Sequence, residues 1–137
     1  MNADSNRSEY MLLFRGNEWH KGLSPEQTQE VMGEWMAWFE RLTKEGKCRS
    51  GHPLEPEGKI VSGPKGRIVA DGPFAESKEA VGGYFFLEVS SYEEAVAIAR
   101  QCPGLPYGAV VEVRPVAPQC PFARETAQRE RAALAAV

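Results

Sequence analysis

Tyr84-Phe85-Phe86-Leu87-Glu88-Val89 is the stretch on which the fold turns. Six residues rich in aromatic and β-branched side chains read as a strand. Successive side chains leave a strand on opposite faces, so Tyr84, Phe86 and Glu88 share one side and Phe85, Leu87 and Val89 the other. Gly82-Gly83 stands just ahead and permits a bulge or the close approach of another backbone. The chain reaches it through Ala70-Asp71-Gly72-Pro73-Phe74-Ala75-Glu76-Ser77-Lys78-Glu79, which packs a turn, several charges and an aromatic anchor into ten residues.

Downstream, Ser91-Tyr92-Glu93-Glu94 has the spacing of a capping box and opens a helix that runs to about Cys102. Ala95, Val96, Ala99 and Cys102 form its inward side, and Pro103-Gly104 stops it. Ala109 to Arg114 is the last strand. Upstream, Lys59-Ile60-Val61-Ser62 and Arg67-Ile68-Val69-Ala70 form a hairpin around the turn Gly63-Pro64-Lys65-Gly66. Lys47 to Gly58, with two glycines and two prolines inside its run, reads as a loop. Ser24-Pro25-Glu26-Gln27 announces the first helix: serine caps, proline takes the first turn, glutamine closes the box. Val31, Met32, Trp35, Met36, Trp38, Phe39 and Leu42 recur along it at helical spacing. Tyr10 to Arg15 is the first strand, apolar on both faces until Arg15, which predicts a central position.

The order strand, helix, hairpin, strand, helix, strand becomes βαββαβ when one hairpin strand is set aside as an accessory. This is the α+β, ferredoxin-like arrangement. Its antiparallel sheet carries both helices on one face. The other face is left bare and partly apolar, and a second copy of the chain is the simplest cover for it. Residues 1–8 are polar and read as a flexible N-terminus. The domain spans 9–116. Residues 117–137 are a proline-bearing linker and a C-terminal helix, Phe122 to Ala136, whose few apolar anchors call for a partner surface.

With 137 residues the chain is read as one domain, large enough to bury a core without disulfides or metals. A net charge of −3 gives no electrostatic case for nucleic acid. Cys48, Cys102 and Cys120 are far apart, so neither a disulfide framework nor a zinc site is expected, and a reducing cytoplasm suits them. No run of about 18 apolar residues occurs, so no membrane span is expected. Phosphate-loop, dinucleotide, HExxH and GxSxG motifs are missing, and no cofactor is expected.

Asp71-Gly72-Pro73-Phe74-Ala75-Glu76-Ser77-Lys78-Glu79 with Gly82-Gly83-Tyr84 resembles the signature of the YCII-related family, in its DGPF-motif branch. Tyr10-Met11-Leu12-Leu13, Cys102-Pro103 and Val111-Glu112-Val113-Arg114-Pro115-Val116 match the same branch, so the likeness covers about residues 9–116. It implies a dimeric α+β barrel, in which two ferredoxin-like sheets face each other across a cavity. A related branch uses a His–Asp pair there, and dehydrochlorination of an aromatic compound is attributed to one such type. The histidine of that branch lies on the first helix, where this chain has Gly33-Glu34-Trp35-Met36 and only Glu34 falls near the place. DGPF proteins are also linked to extracytoplasmic-function sigma factors, which implies a regulatory setting.

Asp71 has three readings. It is a turn-former bonding nearby amides, an acid or base in a cavity, or the partner of an arginine across a dimer. His20 follows the first strand close to Arg15, and with Asp71 it makes the best acid–base set in the sequence. Arg15, Glu34, Trp35, Phe74, Glu76, Lys78, Tyr84 and Phe86 are the expected ligand contacts, the aromatics as walls and the charges as polar anchors. Two functions follow. One is a homodimer that binds a small organic molecule in an inter-sheet cavity, with proton transfer as the chemistry it could support. The other is a non-catalytic regulatory or interaction module that docks through its terminal helix.

Overall fold

The sheet forms around β1 (Ser8–Arg15), apolar on both faces from Tyr10 to Phe14. β1 lies antiparallel between β5 (Val81–Val89) and β6 (Val110–Pro115), and β2 (Cys48–Pro53) adds to the far side of β5. Helices α1 (Pro25–Lys44) and α2 (Tyr92–Ala99) make the two crossovers, so the order β2-β5-β1-β6 is the βαββαβ, ferredoxin-like arrangement. These relations come from a computed structural model that describes residues 7–16, 18–73 and 79–136.

Alternation along β1 and β5 sorts the sheet into two faces. Tyr10, Leu12 and Phe14 are buried together with Phe85, Leu87 and Val89, and Trp38 and Leu42 of α1 and Ala95 and Ile98 of α2 close over them. Both helices therefore sit on one face, and each large apolar side chain buried there contributes roughly 1.5–3 kcal/mol. Trp38 is 1% exposed, yet its indole N–H has no hydrogen-bond partner among the described residues. Met11, Leu13, Arg15, Tyr84, Phe86 and Glu88 point the other way and are half-buried. Charge pairs frame that open face: Arg15 Nη1 is 3.3 Å from Glu112 Oε1, and Arg49 bridges Glu9 and Glu88 above the Phe86 ring.

The caps follow the sequence. Ser24 Oγ accepts from the Gln27 amide at 3.1 Å, and Gln27 Oε1 accepts from the Ser24 amide at 2.9 Å. The second box is half made: Ser91 Oγ accepts from the Glu94 amide, while the Glu94 carboxylate takes the Ser90 amide and hydroxyl instead. Gly82-Gly83 acts in both expected ways, although inside β5 rather than ahead of it. The register slips at Gly82, where Phe14 pairs Gly83 and Arg15 pairs Val81. A Cβ on Gly83 would stand 3.0 Å from the His52 carbonyl oxygen.

Two expectations are corrected. The stretch expected as a loop from Lys47 to Gly58 contains β2, and β2 is the second strand of the βαββαβ unit. As the outer strand of the sheet, it is specified by its contact with β5 rather than by an apolar alternation of its own, and only Cys48 is buried. The hairpin supplies no strand to this sheet. β3 (Lys59–Ser62) and β4 (Ile68–Asp71) pair with each other as a separate ribbon, and all their residues are exposed. Helix α3 (Pro121–Ala135) buries none of its side chains, with Phe122 77% and Leu134 76% exposed. No described helix is long and apolar enough to cross a membrane.

Candidate functional site

A cavity of about 630 Å³ opens between α1 and the β2–β5 end of the sheet. Its position follows from the asymmetry of α1. Val31, Trp38 and Leu42 point down into the core, while Met32, Trp35, Met36 and Phe39 turn toward the outer strand. The outer strand cannot fill the space, because its central residue over this face is Gly51. A Cβ there would meet Phe85 at 2.7 Å and Phe39 at 2.9 Å. Apolar wall is therefore left facing solvent: Met32 is 41% and Met36 58% exposed.

Aromatic rings hold the wall in shape. Trp19, on the 3-10 turn Trp19–Gly22, stacks on Trp35 with centroids 5.8 Å apart and planes 17° apart. Trp35 meets Phe14 edge-on at 4.9 Å, and Phe14 meets Phe85 in the same way. Gly104 admits the pair of tryptophans, since a Cβ there would be 3.1 Å from Trp35 and 3.3 Å from Trp19. Such contacts add roughly 0.5–1.5 kcal/mol each beyond their buried area and keep the rings from collapsing into the space.

Polar groups gather at the rim. His20 lies edge-on to Trp19 at 5.7 Å and borders the cavity. His52 and Tyr84 border it at the outer strand, directly opposite each other in the β2–β5 register, with His52 Nδ1 2.8 Å from the Tyr84 hydroxyl. Either can donate in that bond, depending on the imidazole tautomer. No group of three or more His, Cys, Asp or Glu able to hold a metal occurs among the described residues. Burial pushes the Cys48 thiol up and carries Cys102 to about 11, so both are held as protonated core groups rather than nucleophiles.

The expected site residues are divided by the sheet. His20 and Trp35 border the cavity on the helical side, while Tyr84 borders it from β5 with its side chain turned to the open face, beside that of His52. Arg15 and Phe86 lie on the open face, Arg15 paired with Glu112 and Phe86 beneath Arg49. Asp71 stands at the end of β4, exposed, with Lys59 across the ribbon as its partner. Glu34 is exposed on α1 and does not line the cavity. Phe74, Glu76 and Lys78 lie outside the described residues. Trp19 and His52 are the members that sequence reasoning passed over. His52 had no readable signal, because only strand pairing sets it against Tyr84. Trp19 had one: a tryptophan beside His20 in a short connection leading to an aromatic helix.

Comparison with known proteins places this architecture. The model of the YCII-related domain matches residues 8–123. An uncharacterized protein of Rhizobium meliloti (strain 1021) is 32% identical over 98 residues, which cover 69% of this chain and 79% of that protein. A match that runs from β1 into the start of α3 takes in every described strand and both packed helices, and the chain belongs to the YCII-related family.

Proposed function

We propose that this chain binds a small, largely apolar organic molecule in the cavity between α1 and β2, and that it works as a homodimer of the DGPF branch. The cavity carries the reading: its volume suits a one- or two-ring ligand, and a preformed aromatic wall with a few polar groups at the rim is the usual make-up of such sites. His20, with the imidazole of His52, gives groups at the rim of the kind that serve as general acids and bases. Proton transfer, as in an isomerisation or elimination, is the chemistry they support. Asp71 belongs to the ribbon with Lys59, so the acid–base role falls to the rim histidines. The half-buried apolar side chains of the open face, Met11, Leu13 and Phe86, support assembly through that face.

The test uses 1-naphthol as probe. Trp19 and Trp35 line the cavity, so saturable quenching of tryptophan emission is expected. Trp35→Ala should weaken binding about tenfold, the loss of one ring contact together with its buried area. Absence of saturation up to millimolar probe sinks the cavity reading. Sedimentation at micromolar concentration that gives only monomer sinks the dimer. A second reading, a regulatory module that docks on a protein partner, is favoured by α3, which is helical without burying a side chain in its own domain.

A further inference from the structure

We infer that the β3–β4 ribbon is a self-pairing arm, through which β4 joins β4 of a second copy to form a continuous intermolecular sheet. The ribbon is well specified, and among the described residues it has no other strand or helix to pack on. Its neck is fixed, because the Gly72 amide donates to the Gly58 carbonyl at 3.1 Å and a Cβ on Gly58 would stand 2.6 Å from the Gly72 oxygen. Yet Ile60, Val61, Ile68 and Val69 are 48–61% exposed. A two-stranded ribbon with apolar residues on both faces is marginal in water, and three or more strands are what make such a surface stable. No other described strand supplies them.

Hydrogen-bond parity shows which groups are free. The bond from Gly72 to Gly58 makes those two a bonded pair, and the register places Ala70 opposite Ile60 and Ile68 opposite Ser62 in the same phase. Val69 and Asp71 therefore turn their backbone N–H and C=O groups outward, along an edge that no other described strand pairs. Antiparallel pairing of that edge with itself, with Val69 on the two-fold axis, opposes outward groups to outward groups. It sets Asp71 against Arg67 of the second copy, and Arg67 against Asp71. Arg67 has no hydrogen-bond or ion-pair partner among the described residues. The Asp71 carboxylate holds Lys59 on its inner side and has acceptor capacity left on its outer side. Opposite charges directly across a pair favour this register, and a two-fold makes the contact twice. The outer edge of β3 offers no such match: self-pairing about Val61 sets Lys59 against Gly63. The occupant is therefore a second copy, held by β4, and Asp71 is an interface residue.

Cross-linking tests this in the full chain carrying Cys120→Ser, which removes the exposed native thiol. Val69→Cys should give a covalent dimer under mild oxidation, since directly opposed bonded residues have Cα atoms about 5.5 Å apart, within disulfide range. Val61→Cys is the matched control: Val61 sits opposite Val69 on the ribbon, equally exposed at 61%, but on the other edge. At least fivefold more dimer from Val69→Cys than from Val61→Cys is expected, and Arg67→Asp added to Val69→Cys should remove most of it by setting like charges together. Equal yields, or none from Val69→Cys, overturn the pairing. A dimer in sedimentation without preferential cross-linking at position 69 overturns it too, while leaving assembly through the open face of the large sheet intact.

Discussion

A single methyl added at Gly51 should loosen this protein, whereas the same methyl at Gly33 should tighten it. At Gly51 the new Cβ would stand 2.7 Å from Phe85 Cδ1, 2.9 Å from Phe39 Cε2 and 3.0 Å from the Tyr84 carbonyl oxygen. Carbon atoms in good contact are about 3.5–4.0 Å apart. Phe85 cannot retreat, because Phe14, Trp38 and Phe39 surround its ring. Relief must come from Phe39 swinging toward the cavity and from β2 moving off β5. Overpacking of this kind costs about 1–3 kcal/mol. For a chain of this size that is a fall of roughly 4–12 °C in melting temperature. Gly33 lies in the exposed middle of α1 with nothing within 4 Å of its would-be Cβ. Alanine there gains about 0.8–1 kcal/mol of helix propensity, a rise of roughly 3–4 °C. Thermal unfolding by circular dichroism, with urea unfolding to confirm equal m-values, measures both. Gly51→Ala melting at or above the parent temperature would refute the packing argument. Weaker 1-naphthol binding by Gly51→Ala is a second expected outcome, because Phe39 moves into the space that the ligand would use.

Cys102 is 3% exposed and its thiol is carried from 9.0 to about 11 by burial. The folded state then holds this proton more tightly than the unfolded chain, so its contribution is complete below pH 9 and declines as pH rises toward 11. Two pKa units correspond to about 2–3 kcal/mol, and Cys102→Ala should flatten the alkaline loss of stability by up to that amount; equal slopes between pH 9 and 11, measured by urea unfolding, would count against the burial effect. Deleting residues 118–137 should shift the melting temperature by no more than about 2 °C, since α3 buries nothing and surface changes fall within about 0.5 kcal/mol; loss of cooperative unfolding would show that the helix is integral.

The sequence determined the elements that carry their own local signals. β1 and β5 show apolar alternation, α1 and α2 open on serine caps, and the Gly63–Gly66 turn closes a hairpin between β-branched runs. These are short-range effects: a side chain meeting its own backbone, or a period matched to one buried face. From them followed the order βαββαβ, the helices on one side, and the half-bare sheet opposite. Tertiary structure decided what depends on distant residues. β2 is a strand because β5 offers it an edge, and its glycine and proline hid that from any local reading. The ribbon stands apart because the edge of β5 is already taken by β2. The candidate site was half legible for the same reason. Trp35 and His20 announced themselves by residue type, but the sheet lies between them and Arg15 and Phe86, and Asp71 went with the ribbon to Lys59. Composition along the chain names the groups available for chemistry; which of them meet is fixed by strand pairing, and that is set by the competition of distant segments for the same hydrogen-bonding edges.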